Sequence, residues 1–324
     1  MSFAVMTDTS ANLPTTMLQE KEIGVIAFPY MIGGETFHCT DTDAFPADEF
    51  YTSIKKGAVV TTSQIAPRDY MDFFEPCLKQ GKDILFVAMS SGISGSCGSA
   101  HIAAGELSED YPERKIEIVD ALGASLGEGL LALQAAELRD QDLSVEDAAA
   151  RLREAVERMF NVFTVDDLMH LKRGGRLSNL SAVIGTVLQI KPILKGNEEG
   201  KIVAFAKVRG RKQSILTLAE MYDKLVKDPE KQTVGIAQAL CREDAEMLAS
   251  LLQKNRPPRQ ILTVEYEPVT GSHVGPGALA LFFESEAGVR TYDGRSVISA
   301  VREAVSKVGE RLPHPKLPHS RAGK

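Results

Sequence analysis

The sequence has no tryptophan, and phenylalanine and tyrosine together make up only 6% of its 324 residues. So few flat rings leave little platform for stacking sugars or single-stranded bases, whereas small or aliphatic ligands stay open. Cysteine is scarce as well. Cys39, Cys77, Cys97 and Cys241 stand apart with no C-x-x-C pair, which argues against a zinc ribbon, a dithiol redox centre or a disulfide framework and fits a reducing cytoplasm. There is no basic excess: 37 Lys and Arg against 44 Asp and Glu give a formal charge of −7, so nucleic acid is a disfavoured partner. No apolar run approaches the roughly 18 residues of a membrane span. Met1 to Thr7 carry no positively charged region and run straight into Asp8, so no secretory signal is expected, and a cytoplasmic protein without an integral membrane segment is.

What remains is 44% hydrophobic and 25% charged, the composition of a globular protein too long for one ordinary core, and two domains are expected. Short apolar runs alternate with longer helical patterns, the signature of α/β units. Phe3–Met6 reads as a strand, Pro14–Lys21 as a helix, and Ile23–Met31 as one strand ending at the Gly33-Gly34 turn. Ala47–Lys56 and Pro67–Lys79 are amphipathic helices. Ile84–Met89 is an unbroken apolar run suited to a parallel sheet covered on both faces. A helix over Gly95–Leu107 and a strand over Ile116–Val119 follow, and helical pattern from Ser125 to Phe160 is interrupted at Asp140–Ser144. Beyond that, a strand at Val162–Val165, helices at Asp167–Leu171 and Leu180–Leu188, and a hairpin of Ile193–Lys195 with Lys201–Val208 suggest a mixed sheet. Further helices over Lys212–Lys227 and Glu243–Lys254 alternate with strands near 233–239, 260–265 and 279–283. The expectation is an N-terminal parallel-sheet α/β domain over 3–160, a second α+β domain over 161–288, and a C-terminal helix (Val297–Arg311) with a poorly ordered tail over 289–324.

Two hydroxyl clusters carry the chemical signal. Ser90-Ser91-Gly92-Ile93-Ser94-Gly95-Ser96 lies directly after the buried run and before a helix, where glycines let backbone N–H groups approach an anion. Thr61-Thr62-Ser63-Gln64 precedes the helix at Pro67. Both patterns also serve as ordinary caps and turns. A P-loop is absent, and Gly127-x-Gly129-x-x-Ala132 imitates the dinucleotide fingerprint but starts too far beyond its strand, so helix packing is expected there. Gly92-Ile93-Ser94-Gly95 misses the nucleophile elbow by one residue. His273, among glycines and a proline, is placed in a rigid loop between strands. His38-Cys39 with Asp41 and Asp43 matches no metal spacing, and no metal is expected. Arg173 and Arg176, and Arg209 with Arg211, form two basic clusters suited to solvated faces or anion clamps.

The order of these pieces is more specific than any one of them. Thr7-Asp8-Thr9-Ser10, Thr61-Thr62-Ser63-Gln64, the Ser90–Ser96 loop, Val119-Asp120, Leu171–Ser178, Ile190–Leu194, Lys207-Val208-Arg209 and His273–Gly277 together resemble the DegV family of bacterial fatty-acid-binding proteins, from about Phe3 to Phe283. The sequence departs from the family's pattern at Ile65, at Cys97 and in its extension past Gly288. The resemblance implies a two-domain DegV-like fold enclosing one long-chain fatty acid in a tunnel. It places Thr61, Thr62, Ser91, Ser94 and His273 at the carboxylate, and Arg176 and Arg209 near it or facing a partner. It also implies a lipid carrier that uses no other cofactor and hands its acid to a separate fatty acid kinase, which makes the acyl phosphate for phospholipid synthesis; transient membrane contact stays open. Burying a sixteen-carbon tail at about 0.8 kcal/mol per methylene offers on the order of 10 kcal/mol, and each charged hydrogen bond roughly 1.5–3 more.

Two other classes compete. One is an enzyme, either a serine hydrolase using Ser94 with His273 or a phosphotransferase subunit akin to the dihydroxyacetone kinases. The other is a transcriptional or degradation regulator, which the acidic composition disfavours.

Overall fold

The computed structural model describes residues 3–178, 189–286 and 288–293. The chain runs β1 (Ala4–Asp8), α1 (Thr15–Glu20), β2 (Ile23–Ile26), β3 (Pro29–Ile32), β4 (Glu35–His38), α2 (Ala47–Lys55), β5 (Val60–Thr62), α3 (Pro67–Lys79), β6 (Ile84–Ala88), α4 (Ser96–Asp110), β7 (Ile116–Asp120), α5 (Leu126–Arg139) and α6 (Val145–Arg158). It continues through β8 (Met159–Thr164), α7 (Met169–Arg173), β9 (Ile190–Gly196), β10 (Ile202–Arg209), α8 (Arg211–Leu225), β11 (Thr233–Gln238), α9 (Arg242–Asn255), β12 (Gln260–Glu265), α10 (Pro268–Val274) and β13 (Leu279–Glu284).

The first sheet is all parallel in the order β2-β1-β6-β7. Every residue of β6 is buried, because the strand has no solvent face. Ile84, Phe86 and Ala88 pack with Tyr70 and Phe74 of α3 and with the small residues of α4. Leu85 and Val87 turn the other way, toward α5 and α6. That alternation is why the run reads as continuously apolar. The second sheet, β10-β9-β8-β13-β11-β12, is mixed: only β11 and β12 run parallel. Phe160 and Val162 of β8 join a cluster with α8 and α9, whereas Phe163 faces α5.

Helix α5 is the layer between the two sheets. Leu126, Leu130, Leu131, Ala132, Ala135 and Ala136 are all buried, and residues of both sheets share their cluster. At roughly 1.5–3 kcal/mol for each fully buried leucine, this helix ties the segments on either side of residue 160 into a common core. Its glycines serve the same packing. A side chain at Gly129 would run into the Ala11 carbonyl, and one at Gly127 into Asn161, so Gly127-x-Gly129 is a contact surface for neighbouring chain and not a nucleotide loop.

A small antiparallel sheet, β4-β3-β5, was not legible as such. The span Ile23–Met31 is two strands in two sheets: the Phe28 N–H leaves the ladder and bonds Thr9 Oγ1 at 3.0 Å, and Pro29 opens β3. Phe160 lies in strand β8, which Met159 opens, instead of ending a helix. The short helix expected from Asp167 starts at Met169, whose N–H the Asp167 carboxylate holds at 2.8 Å. His273 sits on helix α10 and not in a loop, because the Glu267 carboxylate accepts the N–H groups of Val269 and Thr270 and Pro268 occupies the first turn. The sequence past 288 opens with buried structure, since Val289 and Arg290 are 4% and 3% exposed. The helices expected over 180–188 and 297–311, and the tail after 312, lie outside the described residues.

Candidate functional site

Between the two sheets, over the N-terminal end of α5, lies a cavity walled by Phe28, Met89, Ile93, Leu122, Phe163, Ile202, Tyr266, Val269 and Phe282. The space between its atoms, open solvent at the mouth included, is about 980 Å³. Thr62, Ser94, Arg176 and His273 line it too. Three of them, Thr62, Arg176 and His273, also line an adjoining surface cleft with Thr61, His170 and Arg173. These three therefore form the boundary between an apolar interior and a basic exterior.

Strand, helix and loop each contribute to that boundary. Thr62 ends β5, opposite Tyr30 of β3, and its Oγ1 lies 2.8 Å from His273 Nε2. Arg176 is held by backbone: its Nε donates to the Ile93 carbonyl at 3.1 Å and its Nη1 to the Gly174 carbonyl. Burial and the neighbouring Arg176 charge push the His273 imidazole down to about 4, so it stands neutral at pH 7. Neutral hydrogen-bonding groups beside one fixed cation suit a carboxylate or phosphate oxygen.

The supporting residues come from the motifs after the strands. Asp8, at the end of β1, accepts the N–H groups of Ser10 at 2.9 Å and Met89 at 3.1 Å, while Glu128 of α5 accepts the hydroxyls of Thr7 at 2.8 Å and Ser10. Both carboxyls are raised by burial. The network locks Met89 in the cavity wall to the ends of β1 and α5. Asp120 accepts the N–H groups of Ser91 and of Leu122, the latter at 2.9 Å, and Ser90 Oγ reaches the Gly200 carbonyl at 2.9 Å. The Ser90–Ser96 loop is thereby fastened to the second sheet's β9–β10 turn.

Thr62, Ser94, Arg176 and His273 thus meet at one place, and three other candidates do not. Thr61 is exposed and lines the cleft beside Thr62 but not the cavity. Ser91 is exposed and engaged only through its N–H. Arg209 is exposed at the end of β10, away from cavity and cleft lining. Ser94 Oγ bonds Ser96 Oγ at 3.1 Å and accepts the Ser96 N–H, while His273 is paired with Thr62, so the nucleophile and base of a serine hydrolase are not in contact. Among the described residues no group of three or more His, Cys, Asp or Glu could hold a metal. No described helix is long and apolar enough to cross a membrane.

Four lining or supporting residues escaped the sequence reading. Thr270 faces the cavity one helical turn before His273, and the pattern Glu267-Pro268 ahead of it was the available helix-start signal. Asn161 and Ser125 line the cavity farther in. Arg290 donates to the carbonyls of Val156, Leu122 and Ala121 at 2.8–3.3 Å and so holds the cavity-lining Leu122 loop against α6. No local pattern announces any of these three.

Comparison with known proteins agrees with this architecture. A DegV domain-containing protein of Clostridium perfringens is 38% identical over 281 residues, 87% of this chain and 97% of that one. Among solved structures, a fatty acid binding DegV family protein from Streptococcus agalactiae superimposes with a TM-score of 0.78 at 30% identity, covering 88% of this chain and 99% of its own. DegV of Bacillus subtilis, a fatty acid binding protein, gives 0.76 at 31% identity, with 88% and 100% covered. The profile of the DegV family, described as uncharacterised proteins, matches residues 2–286. With strand order, loop motifs and near-complete alignment all in agreement, the chain belongs to the DegV family.

Proposed function

We propose that this protein binds one long-chain fatty acid in the cavity and presents its carboxylate to a partner fatty acid kinase in the cytoplasm, with no turnover of its own. One observation carries the reading: the apolar cavity ends at Thr62, His273 and Arg176, and the same three residues face a basic cleft. An aliphatic tail supplies affinity inside, at about 0.8 kcal/mol per methylene. Thr62, Ser94, Thr270 and His273 orient the head, and Arg176 offsets its charge. The Streptococcus agalactiae and Bacillus subtilis relatives, both fatty acid binding proteins, support the same ligand class here. Four free cysteines support a reducing compartment.

The kinase half of the reading rests on chemistry. Activating a carboxylate to an acyl phosphate needs ATP and Mg²⁺, and the sequence carries no P-loop. Arg173 and His170 line the cleft through which a phosphoryl group would arrive. Arg209, exposed at the end of β10, would be a contact for the partner.

Protein purified without detergent is expected to release long-chain fatty acid on organic extraction, read by mass spectrometry. Its reproducible absence would sink the carrier reading. Mixed with a cognate fatty acid kinase and ATP, loaded protein is expected to yield hydroxamate when trapped with hydroxylamine. Arg209→Ala should keep its lipid and lose most of that product. Hydroxamate formed without the kinase would show the protein to be an enzyme instead.

A further inference from the structure

Deep in the cavity stands a polar group that a plain hydrocarbon tail does not use. Asn161 of β8 is 8% exposed, and neither its Nδ2 nor its Oδ1 has a hydrogen-bond partner among the described residues. Ser125 Oγ, in a fully buried residue of the same lining, also has no partner among the described residues. Ser125 holds φ +55° and ψ −145°, a backbone conformation rarely adopted by residues other than glycine. Room for the amide is made on purpose: Gly123 and Gly127 lie so close that a side chain on either would collide with it.

The pair comes from β8 and the start of α5, whereas Thr62 and His273 come from β5 and α10. Asn161 is opposite Phe282 in the middle of β13, whereas Thr164 is opposite Leu279, where the chain arrives from His273 and α10. Three residues of strand put Asn161 on the order of 10 Å from Thr164. Leaving a buried amide and hydroxyl unpaired costs about 1–3 kcal/mol each, and a leucine at 161 would line the cavity without that cost.

We propose that Asn161 and Ser125 form a second polar subsite that receives a hydroxyl carried on the acyl chain, making hydroxylated fatty acids the favoured ligand class. The inference rests on the fatty acid reading above and adds to it. An amide with two donors and an accepting oxygen can satisfy a hydroxyl in both of its roles. A site built for such a bond discriminates against the analogue lacking it, because the site's own groups are then left unpaired.

The test is a competition series on the full chain with stearate and hydroxystearates substituted at successive carbons. One positional isomer is expected to displace stearate with at least a tenfold advantage. Asn161→Leu, and independently Ser125→Ala, should collapse that ratio toward one, with circular dichroism confirming that each variant folds. If every hydroxystearate binds no better than stearate, the pair holds only water and the subsite is refuted. If neither stearate nor any hydroxystearate binds, the fatty acid reading falls as well, so the two failures are distinct. An isomer preference that survives unchanged in both variants also overturns the assignment.

Discussion

Replacing Arg290 with Ala is expected to lower the unfolding free energy by roughly 3–5 kcal/mol, a large part of the stability of an ordinary protein. Arg290 is 3% exposed, and its guanidinium donates to the carbonyls of Val156, Leu122 and Ala121. Truncation takes the guanidinium donors from the Ala121 and Leu122 carbonyls, while Val156 keeps the Met159 N–H, and each orphaned group costs about 1–3 kcal/mol. Burial lowers the Arg290 pKa, and the nearby Glu157 and Asp120 carboxylates oppose that shift. Arg290→Lys should recover only part of the loss, because one ammonium cannot reach carbonyls on three sides. The same segment anchors Lys195, whose Nζ donates to the Arg290 and Tyr292 carbonyls at 2.5 Å. Urea unfolding of the three proteins checks the ranking. An Arg290→Ala midpoint equal to the parent's would show that the segment after 288 is not part of the core.

Fatty acid affinity is expected to rise as pH falls, through His273. In the free protein burial and Arg176 hold this imidazole down to about 4. A carboxylate bound beside it offsets the Arg176 charge and raises the imidazole's affinity for a proton. The sign follows from linkage: the liganded state binds the proton more tightly than the free state, so binding takes up a proton. Affinity therefore gains up to about tenfold per pH unit below the bound-state value and levels off near 4, where the free imidazole is charged as well. His273→Gln keeps a hydrogen-bonding group beside Thr62 and removes the titration, so its profile should follow only the ligand's own ionisation. Calorimetric titrations in two buffers of different ionisation enthalpy measure the proton uptake directly. Equal uptake by parent and His273→Gln would place the linked proton elsewhere.

Much of the architecture was readable from the chain. The run Ile84–Met89 declared a strand covered on both faces, and helix α3 fell on the residues its periodicity and Pro67 marked, because these signals are local. The family itself was legible in the order of short motifs, and so were the hydroxyl loop and His273 as candidates. The split of Ile23–Met31 into two sheets was not legible, since it depends on Thr9 capturing the Phe28 N–H across the fold. Nor was the choice between adjacent residues: Thr62 lines both cavity and cleft and Thr61 the cleft alone, a difference set by the register in which β5 pairs with β3. Ser91 and Ser94 looked equivalent as donors, and Arg209 and Arg176 as cations; the Asp120 carboxylate, the Ser94–Ser96 turn and the end of β10 gave Ser91, Ser94 and Arg209 their actual places.

Sequence by itself determined the α/β class, the parallel first sheet, the family and the chemistry available to an anion, because composition, periodicity and motif order act over short spans of chain. Tertiary structure alone decided which of those groups meet, that α5 lies between two sheets, that Arg290 closes the Leu122 loop, and that Asn161 and Ser125 stand unpaired inside an apolar cavity. Those facts depend on residues brought together from as far apart as Thr62 and His273, or Leu122 and Arg290, and no local pattern encodes such a meeting.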